Sequence, residues 1–437
     1  MLYRLALSAF LVFSSVAASA QTLSESIKLD YDDYLWPLYD HFHRNPELPL
    51  AETETALRMA TELSRLEFDV HEGIGGTGVV AIMKNGAGPT VMMRADMDGL
   101  PVKERSGLPN ESKATQQDPV TGETFPVMHA CGHDMHMTSL IGTARQMASR
   151  KNEWQGTLML IAQPAEERGM GARMMREDDI WGRFGQPDYA LALHVDANSV
   201  AGMVNVVESP YAGVDSVDII VHGIGGHGAY PHQTKDPIVI ASQVVVALQT
   251  LVSRELPPRH AGVVTVGAFH AGTKHNIIPE TAHLQLTVRN TSTETRELLL
   301  NGIRRIAINT ARAAGIPEDK LPEVTVGNET VPPTINDPAL ISRLRQVWLA
   351  GMGEAALEAK EQQGMGGEDF PYFTQDPTIP SVYFSIGGTP AEDFERAAAG
   401  GPPVASHHSP LFKIAPEPSI RAGVEATVLA LTELMAP

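Results

Sequence analysis

The sequence predicts an α/β fold of two domains, in which a mixed-sheet α/β domain is interrupted by a smaller α+β domain. The chain has 437 residues, of which 43% are hydrophobic, enough for two or three hydrophobic cores. Short β-rich segments alternate with helix-patterned segments, which is typical of helices packed on the faces of a sheet. A stretch in the middle instead shows the order strand-helix-strand-strand-helix-strand, which indicates a split βαβ unit.

The first domain is predicted over residues 21–211, where four apolar segments are typical of buried strands. These segments are residues 79–83, 90–93, 157–162 and 190–193. Apolar side chains recur at helical spacing over residues 137–148, so a helix should begin near Asp134. The same domain should resume over residues 327–437. There we expect helices at residues 337–352 and 419–435 and a strand at residues 381–386.

The inserted domain is predicted over residues 212–326. Asp236 and Pro237 mark the start of its first helix, because an Asp side chain caps free N–H groups and Pro is favoured in the first helical turn. Its strands are expected at residues 215–221, 263–269 and 282–289, and its second helix at residues 294–313. Two further segments, residues 105–127 and 390–404, are predicted as mobile loops because Gly, Pro and small or polar residues dominate them.

Charge and the N-terminal segment limit the partners and the location. The chain has 33 basic and 52 acidic residues and no Lys/Arg block, which argues against binding to nucleic acid or to a membrane surface and favours a small molecule. Residues 1–20 have the three-part pattern of a signal peptide, with small residues at a cleavage site before Gln21. An uncleaved anchor fits less well, since the apolar run is shorter than the roughly 20 residues that cross a bilayer. The expected location is secreted or periplasmic.

Cys131 and His133 are the first candidates for metal binding. They are two residues apart in the segment Met-His-Ala-Cys-Gly-His-Asp, directly before a predicted helix. Cys131 is the only cysteine of the chain, so it cannot form an internal disulfide. A helix N-terminus favours the thiolate form, and thiolate and imidazole together suit a divalent transition metal.

Further candidate ligands follow predicted strands downstream. Glu166 and Glu167 come directly after one strand, and His194 after the next. Metal-dependent hydrolysis needs one carboxylate as a ligand and another as a general base, and the spacing leaves open which glutamate has which role. Either His407 or His408 can supply a fifth ligand. Asp96 and Asp98 also follow a strand, but turn formation explains two such carboxylates equally well.

A glycine-rich segment of the inserted domain surrounds His227. Glycine at these positions allows a sharp turn and close approach to a ligand, and an imidazole presented in this way can donate a hydrogen bond to an oxyanion. A tight hairpin with incidental histidines accounts for the segment equally well.

Taken together, these residues resemble the metallohydrolase family of aminoacylases and bacterial zinc carboxypeptidases. The resemblance is to its amidohydrolase branch, which includes hippurate hydrolases and plant auxin-amino-acid conjugate hydrolases. It extends over almost the whole mature chain. The matching segments are residues 43–48, 94–98, 129–134, 163–167, 225–232, 264–267, 276–279 and 367–370, with His408.

The resemblance implies a catalytic domain with an inserted lid domain that forms a homodimer, and a role for each candidate residue. It makes Glu166 the general base, and His227 a residue that reaches the active site of the neighbouring subunit. Asn276 and Arg289 match positions that hold the α-carboxylate of the substrate. The implied ligands of a two-metal centre are Cys131, His133, Glu167, His194 and His408.

The expected activity is hydrolysis of the amide bond of N-acyl amino acids, such as hippurate-like or N-acetyl-amino-acid-like compounds. The donor set accepts zinc, manganese, cobalt or nickel, so the identity of the two divalent ions stays open. A carboxypeptidase or dipeptidase acting on short peptides is one alternative. A non-catalytic periplasmic binding protein is another, although a binding protein has no need of an unligated base.

Overall fold

The computed structural model describes residues 22–361 and 364–437 and confirms the α/β fold, with one large mixed sheet and one smaller sheet. The predicted signal peptide, residues 1–20, and its cleavage site lie outside the described residues. Each of the two sheets has its own hydrophobic core.

The main sheet has eight strands and is mixed. Its central strands are parallel neighbours, so their carboxyl ends meet at one edge, and Asp96 lies directly beside Gln163 there. Successive side chains of each strand enter opposite cores, as Met92 and Met93 do. In sheet order the strands are Asp69–Ile74, Gly78–Asn85, Gly156–Gln163, Thr90–Asp96, Tyr189–Val200, Ser381–Thr389, Val204–Asn205 and Leu357–Glu358.

Helices cover both faces of the main sheet. The larger core lies under Leu23–Asp30, Trp36–Arg44, Thr53–Ser64, His133–Ser149, Pro338–Met352 and Pro416–Leu434, with a π-helical turn at Tyr31–Leu35. The opposite face packs against three short helices, Gly171–Glu177, Ile180–Phe184 and Pro371–Thr374. The sheet is therefore enclosed on both faces, and its carboxyl-end edge is where polar side chains can gather.

The smaller sheet belongs to the inserted segment, called the lid below, and is antiparallel throughout. Its element order is that of the predicted split βαβ unit. In sheet order its strands are Gly262–Ala271, Thr281–Asn290, Gly213–His222 and Glu323–Val331. The helices Pro237–Thr250, with a π-helical extension Leu251–Glu255, and Thr293–Ala313 pack on one face of this sheet. Residues 213–331 thus form a unit with a hydrophobic core of its own.

Both predicted loops contain regular structure. Residues 105–127 include the hairpin strands Thr115–Gln117 and Thr124–Pro126, whose turn is held because Asp118 accepts the backbone N–H of Val120 at 2.7 Å. Residues 390–404 include the helix Ala391–Ala398. Elements this short show too few repeats of the hydrophobic pattern to be recognised in the sequence.

By length and composition, one helix in the described part of the chain, Pro237–Glu255, could cross a membrane. Its most apolar window has a mean hydropathy of 1.4, and 33% of that window is buried within the structure. The buried side packs into the lid core, and the remaining apolar side chains lie on the outer surface of the lid.

Candidate metal centre

The candidate site lies where parallel strands of the main sheet end beside the start of helix His133–Ser149. Gly132 caps this helix with a φ of 86°, and a Cβ there would come within 2.3 Å of the Val195 side chain. Only glycine fits both the conformation and the space, which explains the Cys-Gly-His order. His194 lies beyond the residues that pair with strand Thr90–Asp96, although its own strand continues to Val200.

The structure brings the five predicted ligands together. Cys131 Sγ lies 3.4 Å from His194 Nε2, and His408 Nε2 lies 3.3 Å from Glu167 Oε1. His133 Nε2 lies 3.9 Å from Glu167 Oε1. Cys131 belongs to two groups of three residues whose ligand atoms, one from each residue, all lie within 4.8 Å of one another. The first group is completed by His133 and His194, and the second by Glu167 and His408. Sulfur, nitrogen and oxygen donors from five separate positions therefore converge on one place.

These donors fit a pair of divalent ions. Around a tetrahedral ion with bonds of about 2.0–2.3 Å, the donors lie roughly 3.3–3.8 Å apart, close to the separations observed here. Nε2 of His133 and Oε1 of Glu167 are buried and lack a hydrogen-bond partner among the described residues. Buried polar atoms normally have a partner, so these atoms are consistent with ligands of a cation.

A second layer of side chains orients these donors. His133 Nδ1 faces Asp98 Oδ1 at 3.3 Å, an arrangement that fixes which ring nitrogen is directed at a metal. His136, one helical turn after His133, contacts Asp96 at 2.6 Å and accepts the backbone N–H of Val195 at 2.9 Å. His136 is not among the residues predicted from the sequence, although its spacing of three residues from His133 places it on the same face of the helix.

A fully buried arginine joins the ends of the strands. Arg94 donates to Asp96 at 2.5 Å, to Glu368 at 2.8 Å and to Gln163 at 2.8 Å. Gln163 in turn donates to Asp369 at 2.6 Å. This network ties the matching segment at residues 367–370 to the main sheet, a role that the sequence did not reveal.

The two glutamates stand on a tight turn, residues 165–172, called the glutamate turn below. Ala165 has a φ of 49°, in the left-handed region that a side chain rarely adopts. Buried carboxylates from three separate segments hold this turn by its backbone N–H groups. The bonds run from Ala165 to Glu52 at 2.8 Å, from Glu167 to Asp98 at 2.9 Å and from Ala172 to Asp369 at 2.9 Å.

The neighbouring glutamates have opposite pKa shifts. Burial, followed by the negative charges of Glu368 and Glu167, raises the pKa of Glu166 well above its usual value. Burial alone would also raise the pKa of Glu167, but contact with His408 and the charge of His133 hold it below its usual value. Carboxyl groups whose surroundings separate their pKa values in this way are suited to different roles.

The adjacent histidines also differ. His408 has a left-handed φ of 64° and faces Glu167, and 56% of its side chain is exposed. His407 Nε2 instead accepts the backbone N–H of Ala197 at 3.2 Å, and its Nδ1 lies 3.9 Å from Cys131 Sγ. One nitrogen of His407 is therefore already occupied by the backbone.

A cleft of about 1260 Å³ opens above the candidate metal centre, between the domain of the main sheet and the lid. Cys131, Glu166 and Glu167 line it on one side and Arg289 on the lid side. Arg289 is half-buried, burial lowers the pKa of its guanidinium, and it has no hydrogen bond or ion pair within residues 22–361 and 364–437. A partly desolvated, unpaired guanidinium is available to an anionic ligand.

Two predicted site residues do not line this cleft. His227 and Asn276 are both exposed and adjoin each other on the lid, where His227 pairs with Ile277 and the carbonyl of Asn276 accepts the N–H of Gly228 at 2.9 Å. The structure thus does not bring them to the metal centre of their own chain. The sequence motif identifies the residues but contains no information about which cleft they approach.

Known proteins share both sequence and fold with this chain. The family model of the peptidase family M20/M25/M40 matches residues 92–415. A hippurate hydrolase of Campylobacter jejuni is 37% identical over 350 residues, 79% of this chain and 86% of that protein. Thermostable carboxypeptidase 2 of Saccharolobus solfataricus is 34% identical over 373 residues, 84% of this chain and 89% of that protein. A crystal structure of a dinuclear metal binding peptidase from Bacillus subtilis has a TM-score of 0.74 at 27% identity and covers 94% of this chain and 99% of its own.

Proposed function

The chain belongs to the peptidase family M20/M25/M40, a family of metal-dependent hydrolases of amide bonds, and from this premise we propose that it hydrolyses N-acyl amino acids. The observation that carries the proposal is the composition of the cleft, where the clustered metal donors face the unpaired Arg289. An N-acyl amino acid has an amide carbonyl and an α-carboxylate close together. The first suits the metal side of the cleft and the second suits Arg289.

Cys131, His133, Glu167, His194 and His408 are proposed to hold two divalent ions, drawn from zinc, manganese, cobalt or nickel. Such ions, when bound, lower the pKa of a coordinated water and polarise a carbonyl oxygen. Asp98, through His133, keeps one ligand in the required orientation.

Glu166 is proposed as the general base. Glu166 lines the cleft next to Glu167 and belongs to neither of the two donor groups that share Cys131, which leaves its carboxylate available for proton transfer. Glu166 accepts a proton from the attacking water and transfers it to the amide nitrogen as the C–N bond breaks. The glutamate turn keeps the two carboxylates apart in their separate roles, because its backbone is held on both sides of Glu166.

The proposed contact between Arg289 and the α-carboxylate of the substrate can be tested by substitution. Arg289→Met is expected to raise the KM for an N-acyl amino acid by about 10–100-fold, since a charged hydrogen bond contributes roughly 1.5–3 kcal/mol. The KM for the corresponding N-acyl amino acid amide, which lacks the carboxylate, should stay unchanged. Steady-state kinetics on the two substrates measures both. Arg173→Met is the matched control, since Arg173 also lines the cleft but already contacts Glu177 at 3.8 Å.

A carboxypeptidase or dipeptidase is the second candidate, favoured by the 34% identity to thermostable carboxypeptidase 2 of Saccharolobus solfataricus. The two functions differ in the group beyond the scissile bond, which is an acyl group in one and an amino acid with a free amine in the other. A panel that pairs hippurate and N-acetyl amino acids with dipeptides of the same C-terminal residues distinguishes them. Higher kcat/KM on the dipeptides would overturn the proposed substrate class, and no hydrolysis of either set would overturn the proposal altogether.

The lid is proposed to dimerise, so that His227 reaches the cleft of a second copy and donates to the developing oxyanion. Apolar side chains on its outer helix support this, with Val239 52% and Val246 72% exposed. The strand Gly262–Ala271 lies at the edge of the lid sheet, and a two-fold axis there would place two such faces together.

Val246→Glu is accordingly expected to convert the dimer to a monomer and to lower kcat roughly 100-fold, the effect of losing one oxyanion donor. Sedimentation velocity and activity at equal subunit concentration measure the two effects. Val120→Glu is the control, because Val120 is 62% exposed but lies on the catalytic domain. A monomeric wild-type protein with full activity would contradict the proposal.

A further inference from the structure

Tyr211 lies at the junction between the catalytic domain and the lid, two residues before the strand Gly213–His222, and lines the cleft. Its backbone is fixed because its carbonyl accepts the N–H of Thr334 at 3.1 Å. Its ring packs between two others, with centroids 5.9 Å from that of His194 and 5.1 Å from that of Tyr383. The aromatic ring therefore stands directly beside a proposed metal ligand.

The hydroxyl of Tyr211 has no hydrogen-bond partner in the part of the chain that the structure describes. The neighbouring Tyr383, in contrast, donates its hydroxyl to Glu368 at 2.6 Å. A tyrosine that buries most of its ring usually finds a partner for its hydroxyl, so a free hydroxyl in a cleft is available to a ligand.

A phenol hydroxyl both donates and accepts hydrogen bonds, so Tyr211 can donate one to a ligand in the cleft that Cys131 and Glu166 also line.

We propose that Tyr211 is a catalytic residue whose hydroxyl donates a hydrogen bond to the scissile carbonyl oxygen as that oxygen gains negative charge. The inference rests on the proposed amide hydrolysis and adds to it a donor from the same chain. Among the cleft residues of the same chain, Arg289 is proposed for the carboxylate and Tyr383 is already engaged with Glu368, so the Tyr211 hydroxyl is a donor available to the carbonyl in addition to His227 of the partner subunit. No proton leaves the tyrosine at any step, so the proton balance at Glu166 is unchanged.

The test is Tyr211→Phe in the full-length, metal-loaded protein. Because the ring is retained, its contacts with His194 and Tyr383 persist, and only the hydroxyl is lost. We expect kcat for an N-acyl amino acid to fall by about 100-fold, the loss typical of one oxyanion donor, with KM changed by less than about threefold. Affinity for a phosphonate analogue of the tetrahedral state should fall by a similar factor, whereas affinity for the product amino acid should not change.

Tyr31→Phe is the matched control. Tyr31 is buried, at 6% exposure, whereas Tyr211 is partly buried. The Tyr31 hydroxyl likewise lacks a partner within the described ranges, but Tyr31 lies among the N-terminal helices. Its removal should leave kcat unchanged. A Tyr211→Phe variant with wild-type kcat, or with an increase in KM alone, would overturn the role of Tyr211. A wild-type protein that hydrolyses no N-acyl amino acid would instead overturn the proposed function.

Discussion

Glu166→Gln is expected to lower kcat by roughly 10²–10⁴-fold while both metal ions remain bound, because general acid-base catalysis contributes about that factor. Glutamine keeps the size of the side chain and its contacts on the glutamate turn, but it cannot take a proton from water. The variant therefore separates proton transfer from metal binding. Steady-state kinetics and metal analysis of the same purified sample measure the two quantities.

The same substitution at the neighbouring Glu167 provides a comparison with Glu166→Gln. Glu167→Gln should lose metal as well as activity, since the contacts of Glu167 with His408 and His133 are those expected of a ligand. Glu177→Gln, on an exposed carboxylate of the next helix, should leave both unchanged. If loaded Glu166→Gln turned over substrate at the wild-type rate, Glu166 would not be the base and the assignment of the two glutamates would have to be reversed or abandoned.

The parts of the site that the sequence predicts lie next to segments with a clear hydrophobic pattern. A strand buried on both faces has a nearly continuous apolar sequence. The sequence therefore predicts, to within a few residues, where the strands Thr90–Asp96 and Gly156–Gln163 end. Parallel strands bring their carboxyl ends to one edge, so the strand pattern predicts Glu166 and Glu167 at such an edge, but it left Asp96 equally well explained as a turn former. His194 is recovered by the same reasoning, although its strand extends well past the predicted end.

The parts that the sequence does not predict depend on contacts between distant segments. Glu52 is a buried carboxylate outside any recognised motif. Its side chain nevertheless accepts the backbone N–H of Ala165, 113 residues away, and so helps to hold the glutamate turn. The Arg94 to Glu368 pair spans 274 residues. Such pairs have no periodicity or spacing that marks them, because the fold alone determines which side chains meet. The free hydroxyl of Tyr211 belongs to the same class, since it depends on which side chains the fold brings within reach of the ring.

The sequence spacing leaves open whether His407 or His408 is the fifth metal ligand, and the fold distinguishes the two. His408→Ala is expected to lose about one metal ion per subunit and to lower kcat/KM by more than the roughly 10–100-fold that removing an indirect partner of a metal costs. The protein should still fold, because the side chain is 56% exposed and supports little packing. Metal analysis by mass spectrometry and thermal melting measure loading and stability separately.

His407→Ala is the matched comparison and should show the opposite pattern. His407 packs against Phe412, with ring centroids 4.9 Å apart, and its Nε2 accepts the N–H of Ala197, so its loss should lower the melting temperature. Both metal ions should stay bound, since Cys131 and His194 remain in contact without it. Retention of two ions by His408→Ala together with loss of one by His407→Ala would mean that the backbone bond to His407 opens on metal binding. The imidazole nearer to Cys131 would then be the true ligand.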